Sequence, residues 1–200
     1  MCAVAGKKQF DVDTALDAAM VQFWRAGYAE TSLDDLTRAT GLNRSSIYSS
    51  FGDKDSLYLR CLERYAARYG DRYDQALSCA ASGGPLPAIQ AFFQVTLDRI
   101  ADPDVPDGCL VAQTAMATPV LSRAIAARAV EAVGLQHARV RTALNAAELA
   151  EGDADDHATH ITAVNQSLAV MSRAGASGKQ LRAIVDISMG ALAQALHSRG

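Results

Sequence analysis

The chain has 200 residues, half of them hydrophobic, and carries a formal net charge of −3 with an isoelectric point near 5.8. This length allows one large domain or two small ones, and no apolar run approaches the ~20 residues that span a bilayer. The acidic balance excludes the strongly basic footprint of proteins that coat nucleic acid without sequence preference. Without a recognisable signal peptide at its start, the chain is expected in the cytoplasm.

The first predicted helix runs from Asp11 to Ala26 and has one apolar side. Its apolar residues recur at three- and four-residue steps, the spacing of an amphipathic helix: Leu16, Ala19, Met20 and Phe23. Gly27 is expected to end this helix, because glycine accepts the backbone angles of a helix terminus.

The segment Thr31–Phe51 predicts two short helices joined by a tight turn. The first, Ser32–Thr40, begins with a capping-box pair between its first residue and Asp35. Gly41 supplies the turn, because glycine reaches positive φ without steric cost. The second, Asn43–Ser50, turns apolar side chains inward and polar side chains outward. This pattern indicates a helix-turn-helix whose second helix suits the DNA major groove.

The motif and its flanks resemble the TetR (AcrR-type) family of bacterial one-component regulators. The matching stretch runs from about Phe10 to Tyr65 and reads Phe-Trp-x-x-Gly-Tyr, then Thr-Ser-Leu-x-x-Leu, then Thr-Gly-Leu-x-x-x-x-Ile-Tyr-x-x-Phe-x-x-Lys-x-x-Leu. The resemblance implies a DNA-binding domain over residues 1–52 and a ligand-binding and dimerisation domain over residues 53–200. It also implies a homodimer that binds a palindromic operator in double-stranded DNA, most often as a repressor, until a small molecule releases it.

Beyond the motif, the pattern predicts six further helices and no strand, so the expected fold is all-α with about nine helices. One helix runs from Asp53 to about Cys79 and is followed by a break at Ser82–Pro85. The next two are a helix spanning Ile89–Ile100 and a short helix over Cys109–Ala117. A long helix follows, which Thr118 caps and Pro119 begins and which ends near Leu149. The last two helices come after the acidic loop Glu151–Asp155.

The last two predicted helices have wide apolar faces. Their apolar residues recur at helical spacing: Ile161, Val164, Leu168 and Met171 in the first, and Leu181, Ile184, Val185, Met189 and Leu192 in the second. Such a hairpin either pairs with its own copy or completes the core of the monomer. The resemblance favours the dimer, because members of the family pair through their C-terminal helices.

Seven residues are predicted to face DNA: Thr31, Ser32, Arg44, Ser45, Tyr48, Ser49 and Lys54. Arg44 contacts either a guanine edge or a phosphate, and the serines of the second helix approach base edges with little discrimination. The resemblance places Tyr48 and Lys54 at phosphates, although Tyr48 also suits a half-buried core position. The two residues that open the first helix can offer hydroxyl and N–H groups to another phosphate. Lys7 and Lys8 are either a minor-groove arm or a frayed terminus.

The resemblance implies an effector site between helices of the domain over residues 53–200. Aromatic and polar residues are candidates for its lining: Phe92, Phe93, Thr96, Gln113 and Met116. The alternative is that these residues form plain core. An effector that binds the DNA-bound and the released conformer equally does not shift the equilibrium between them. It must therefore bind the released conformer more tightly.

Cys109 is an alternative trigger, as an oxidant- or electrophile-sensing thiol. A helix start activates a thiol, although the neighbouring acidic residues oppose this, and a quiet buried thiol is the other interpretation. His157 and His160, beside acidic residues, suit either a metal or a solvated helix start, and no metal or cofactor is expected.

Two other protein classes compete with the DNA-binding regulator. The sequence has no Gly-rich phosphate loop, no Gly-x-Ser-x-Gly and no His-x-x-x-His, so it does not predict an enzyme. A constitutive architectural DNA-binding protein stays an alternative, because nothing in the sequence requires the body to open. The preferred prediction is a ligand-responsive cytoplasmic regulator that is nucleoid-associated when bound to DNA.

Overall fold

Across residues 11–145 and 153–197, which the computed structural model describes, every regular element is helical. The helices are α1 (Val12–Ala26), α2 (Leu33–Thr40), α3 (Arg44–Phe51), α4 (Lys54–Leu77), α5 (Ala80–Gly83), α6 (Pro85–Ala101), α7 (Leu110–Met116), α8 (Arg123–Leu144), α9 (Asp153–Arg173) and α10 (Gly178–His197). Because α5 is a single turn, nine longer helices are present in these ranges, and the predicted all-α class is confirmed. None of the described helices combines the length and the apolar character needed to cross a bilayer.

Helices α1 to α3, the head, pack around one small core against the beginning of α4. The core side chains come from the apolar sides of all four helices: Met20, Phe23, Leu36, Ile47, Phe51 and Leu57. The capping box between Ser32 and Asp35 is present. Gly41 ends α2 in the left-handed region with φ 69°, so the chain turns where the sequence requires glycine. The predicted helix-turn-helix is therefore formed.

Helices α4 to α10, the body, form a bundle in which α4 packs against α6 and α8, while α9 packs against α6, α8 and α10. A buried chain of hydrogen bonds ties three of these helices together. The Tyr73 hydroxyl lies 2.7 Å from the Thr96 hydroxyl, which in turn donates to Asn165 Oδ1 at 2.6 Å. These polar groups are satisfied inside the core, so Thr96 has a structural partner on each side.

Three predicted boundaries are wrong. The turn α5 extends into the stretch predicted as a break, and α6 begins directly at Pro85. Helix α9 begins at Asp153, inside the stretch predicted as an acidic loop. Pro119 does not begin the long helix, because it lies in a 3-10 turn over Thr118–Val120 and Leu121 then adopts extended backbone. Ser122 is the residue before α8. Proline fits the first turn of either kind of helix, so its presence did not distinguish them. The predicted end near Leu149, Lys7 and Lys8 lie outside the described residues.

The predicted dimer residues separate into two groups. Five of them have almost no exposed surface within the single chain, so they belong to its own core and not to an interface: Ile161, Leu168, Leu181, Val185 and Leu192. Val164, Ile184 and Met189 are half-buried, and Met171 is exposed. The exposed apolar residues of α9 and α10 include Val170 and Ile187, the latter 76% exposed. The face left open to a partner is thus narrower than predicted and lies beside the predicted stripe.

Candidate nucleic-acid interface

The recognition helix α3 is fixed from behind and polar in front. Its Ile47 and Phe51 side chains are buried in the head core, and the Asn43 side chain caps its first turn by accepting from the Ser46 N–H at 2.8 Å. On the opposite side Ser45, Tyr48 and Ser49 are exposed, which leaves an unobstructed polar face. Because Tyr48 is 53% exposed, the alternative of a half-buried core aromatic does not describe it.

Arg44 is held by a carboxylate of the neighbouring helix. Its Nη2 and Nε both donate to Asp34 Oδ1, at 2.6 and 3.2 Å, and both side chains are more than half exposed. The hydrogen bonds to Asp34 raise the pKa of the Arg44 guanidinium further above its usual value. The pair holds the guanidinium at the start of α3 and uses two of its five N–H donors, so the other donors stay free for a further acceptor.

Lys54 lies where α4 begins, close to the head. Its ammonium stands 4.3 Å from the centre of the Tyr28 ring, a cation–π contact, and partial burial lowers its pKa. The Tyr28 hydroxyl donates to Asp55. Burial and then that carboxylate raise the pKa of Tyr28 to about 12. Lys54 is therefore oriented by an aromatic ring at the start of α4.

Thr31 and Ser32 use their polar groups inside the head. The Thr31 side chain is buried, and its hydroxyl donates to the Gly27 carbonyl at 2.6 Å. The Ser32 N–H and hydroxyl both donate to Asp35 Oδ2, at 2.8 and 2.5 Å. The predicted phosphate contact from the Thr31 hydroxyl is at odds with this burial, and the Asp35 carboxylate at the start of α2 opposes an approaching phosphate at Ser32.

Acidic residues of α1 are neutralised on a different side of the head. Asp17 accepts from Arg64 through both carboxylate oxygens at 2.7 Å and from Arg68 at 2.5 Å, while Asp13 accepts from Arg64 at 2.9 Å. The hydrogen bond to Arg64 is the main cause that lowers the pKa of Asp17. These ion pairs connect α1 to α4, so the charges of Asp13 and Asp17 are compensated there.

The body contains a cavity of about 250 Å³ between α4, α7 and α8. Its walls are mainly aromatic and aliphatic, with two arginines and two glutamines among them: Tyr65, Tyr69, Tyr73, Cys109, Val111, Arg128, Leu135, Gln136, Arg139 and Gln166. A second space of about 240 Å³, the α7–α9 groove, is lined by Gly108, Cys109, Ala112, Gln113, Met116, Ala169, Val170, Arg173 and Ala174.

The predicted effector residues are not brought together. Gln113 and Met116 line the α7–α9 groove, whereas Phe92 and Phe93 are completely buried, as the plain-core alternative expects, and Thr96 is hydrogen-bonded between helices. Sequence reasoning missed the tyrosines that line the cavity between α4, α7 and α8. Tyr65, Tyr69 and Tyr73 recur every four residues along α4, a signal that would have placed them on one face.

The chain matches two models of known regulator families, one in its N-terminal part and one in its C-terminal part. Residues 15–61 match the model of the bacterial regulatory proteins of the tetR family, and residues 85–187 match the LmrA/YxaF-like C-terminal domain of transcriptional regulators. The chain belongs to the TetR family. The resemblance inferred from the head motif is thereby confirmed.

Among its TetR relatives, the repressor ComR of Escherichia coli is 36% identical over 104 residues, which is 52% of this chain and 49% of ComR. The Bacillus subtilis regulator YezE is 30% identical over 109 residues, 54% of this chain and 55% of YezE. The chain thus spans about half the length of the curated relatives it matches. A cysteine mutant of the TetR-family regulator CifR, complexed with 26-base-pair operator DNA, superposes with a TM-score of 0.79 and 28% identity over 92% of this chain and 98% of CifR.

Proposed function

We propose that this TetR-family protein is a transcriptional repressor that binds a palindromic operator as a homodimer and is released by a small molecule bound in its body. The observation that carries the proposal is the exposed polar face of α3, rigidly backed by Ile47 and Phe51. A helix held in this way presents its side chains to base edges without losing its own packing. The proposed place of action is the cytoplasm, and no catalytic activity is expected.

The proposed contacts with DNA are of two kinds, to base edges and to phosphates. Arg44 and the α3 serines are proposed to read base edges, because they occupy the exposed side of the recognition helix. Tyr48 and Lys54 are proposed to contact phosphates, which position the head without specifying sequence. CifR, which shares the fold over nearly the whole chain, is complexed with operator DNA, and this supports the proposal that the present chain binds operator DNA.

The proposed dimer uses the α9–α10 face, defined as Val164, Val170, Met171, Ile187, Gly190 and Ala191. These residues are exposed or half-buried and mostly apolar, and an apolar face of two adjacent helices suits pairing with a second copy. A two-fold pair presents two α3 helices to successive major grooves. The proposed operator is therefore a palindrome with half-sites about one helical turn apart.

The test is selection of duplexes from a random DNA pool by the purified protein, followed by sequencing. The expected result is an enriched inverted repeat, bound by two protomers with a dissociation constant that rises with salt, but less steeply than for strongly basic DNA-binding proteins. Enrichment of a direct repeat, of single half-sites bound by one protomer, or of no sequence at all contradicts the proposal. The last outcome, with uniform binding to any duplex, favours the architectural alternative.

A second candidate trigger is covalent modification of Cys109, favoured by its position. Cys109 lines both the cavity and the α7–α9 groove and is half-buried, whereas Cys61 is fully buried and its burial raises the pKa of its thiol. A Michael acceptor such as N-ethylmaleimide would form a carbon–sulfur bond while its C=C electron pair takes up a proton from water. Release of operator by this reagent in the wild type and in Cys79→Ser, but not in Cys109→Ser, is expected. Equal release in all three proteins contradicts a role for Cys109.

A further inference from the structure

Arg173, the last residue of α9, connects the body to the head. Its Nη1 donates to the Trp24 carbonyl at 3.0 Å and to Gln113 Oε1 at 3.2 Å, and its Nη2 donates to the Arg25 carbonyl at 2.7 Å. Both carbonyls lie in the last turn of α1, where the helix carries partial negative charge. One side chain of the body therefore closes the end of the helix that supports the head.

The same side chain is a wall of the α7–α9 groove. The other walls are mainly small or apolar, among them Ala112, Met116 and Val170. Gln113 lines the groove too and touches the head, since a Cβ added at Gly27 would stand 2.8 Å from Gln113 Nε2. A molecule in this groove would contact two residues that hold the end of α1.

The groove has an excess of positive charge. Every hydrogen-bond acceptor of Arg173 among the described residues is a neutral oxygen. Behind Gly108, a wall of the groove, Arg99 is buried and donates to the Gly108 carbonyl. Its guanidinium also contacts the rings of Trp24 and Tyr69, and its Nε has no hydrogen-bond partner in the described residues. Neither arginine forms an ion pair with any described carboxylate, although the exposed Asp107 is next to Gly108 in the chain. A buried guanidinium without an acidic partner favours an anion nearby.

We propose that the α7–α9 groove binds a small organic carboxylate and that Arg173 transmits its binding to the head. A carboxylate forms charge-assisted hydrogen bonds with a guanidinium that are stronger than those of neutral carbonyls. The ligand therefore competes with Trp24 and Arg25 for the same donors, and the end of α1 loses its attachment to α9. This inference rests on the proposed function, because it names the ligand class and the coupling residue of the effector-binding body.

The chain supplies its own probe for the test. Trp24 is its single tryptophan, and its carbonyl is one of the oxygens that Arg173 binds. Tryptophan fluorescence is followed while the full-length protein is titrated with cyclohexanecarboxylate and, separately, with cyclohexanecarboxamide, its neutral counterpart of nearly the same shape. The expected result is that the acid binds roughly tenfold or more tightly than the amide. Equal affinity for the two compounds overturns the proposal.

Three variants locate the effect. Arg173→Met is expected to remove the preference for the acid, and Arg173→Lys, which keeps the charge but not the fork, is expected to retain part of it. The matched control is Arg123→Met, which changes an exposed arginine of α8 that has no hydrogen-bond partner in the described part of the chain. A preference that survives in Arg173→Met places the acid elsewhere, and the proposal is then wrong.

Gln113→Glu tests the coupling even if loss of Arg173 prevents folding. The new carboxylate occupies the position of Gln113 Oε1 beside Arg173, so it is expected to imitate the ligand. Acid binding should fall at least tenfold, and affinity for the selected operator should fall without any ligand. Unchanged values for both overturn the relay.

The operator measurement separates this inference from the function on which it rests. The acid is expected to weaken operator binding by the wild type and to have no effect on Arg173→Met. If the protein selects no operator, the proposed function fails while the fluorescence result still decides the groove. If the operator is bound tightly and the acid has no advantage over the amide, only the carboxylate proposal fails.

Discussion

The head and the body place their functional residues in opposite ways. In the head, Arg44, Ser45 and Tyr48 alternate with the buried Ile47 and Phe51 on one short helix, so the packing residues and the proposed DNA-facing residues lie within eight residues. In the body, the cavity walls come from helices far apart in sequence, and one arginine at the end of α9 touches α1. The properties of the head therefore depend on residues that are close together in sequence, whereas the properties of the body depend on how helices distant in sequence pack.

The largest effect is expected from a substitution in the α9–α10 face of the body. Ile187→Glu should prevent dimerisation, because it puts a charge into an apolar face that has no other cover, and operator affinity should fall by about a hundredfold or more as the two heads lose their linkage. Sedimentation and operator titration measure both. Since Ile187 is 76% exposed, the unfolding temperature of the monomer should barely change.

Val120→Glu is the matched control, because Val120 is 78% exposed but lies in the 3-10 turn before α8. It should leave both the dimer and operator binding intact. If Ile187→Glu remains dimeric and binds the operator normally, the α9–α10 face is not the interface.

The next effect lies on α3. Arg44→Ala should weaken operator binding roughly tenfold to a hundredfold, since one good contact between arginine and guanine contributes about 1–3 kcal/mol of discrimination. The dimer and the fold should be preserved, because the side chain is 62% exposed. Binding to the selected operator and to variants changed at single base pairs distinguishes base recognition from phosphate contact. Loss of preference at one pair indicates the first, and a uniform loss the second.

Asp34→Asn is expected to change operator affinity in the opposite direction to Arg44→Ala. It removes the carboxylate that competes with DNA for Arg44, so operator affinity should rise by a few-fold. A fall in affinity would mean that Asp34 orients the arginine for DNA instead of competing with it.

The difference between head and body also decides what the sequence predicted. The inward Ile47 and the glycine at position 41 lie within one motif, so the helix-turn-helix followed from local spacing. Thr31 escaped correct prediction because its hydroxyl faces a carbonyl of the preceding helix, and the pair of Arg44 with Asp34 forms only after α2 and α3 fold together.

In the body, apolar spacing could not tell core from interface. Leu168 and Met171 occur in the same predicted stripe, yet the first is fully buried and the second is 40% exposed. Phe92 likewise suits a pocket wall or a core equally well by sequence, and only the packing of α6 against its neighbours excludes the first. Local periodicity reports that a face is apolar, and tertiary structure decides what covers it.

A smaller effect tests where head and body meet. Gly27 has φ 90° and ψ 166°, backbone angles that are essentially restricted to glycine. Gly27→Ala should lower the free energy of unfolding by about 1–3 kcal/mol, measured by urea titration. Gln113 is a flexible side chain that can move away from the new methyl group, so adding Gln113→Ala should recover only a minor part of the loss. Full recovery would mean that the contact, and not the backbone, restricts this position.

The smallest expected effect concerns pH and the ion pairs between α1 and α4. The hydrogen bond to Arg64 lowers the pKa of Asp17 in the folded protein, so its contribution to stability is present above the unfolded pKa of about 3.9 and is lost as the pH falls through the lower folded value. Because the side chain is about one third exposed, solvent screens the interaction, and Asp17→Asn should cost no more than about 1 kcal/mol at neutral pH.

Thermal unfolding between pH 7 and strongly acidic pH should show a shallower acid decline in Asp17→Asn than in the wild type. Asp71→Asn, which changes an exposed α4 carboxylate with no partner in the described residues, should keep the wild-type decline. Identical pH profiles for all three proteins would mean that the ion pairs with Arg64 and Arg68 do not stabilise the junction of α1 with α4.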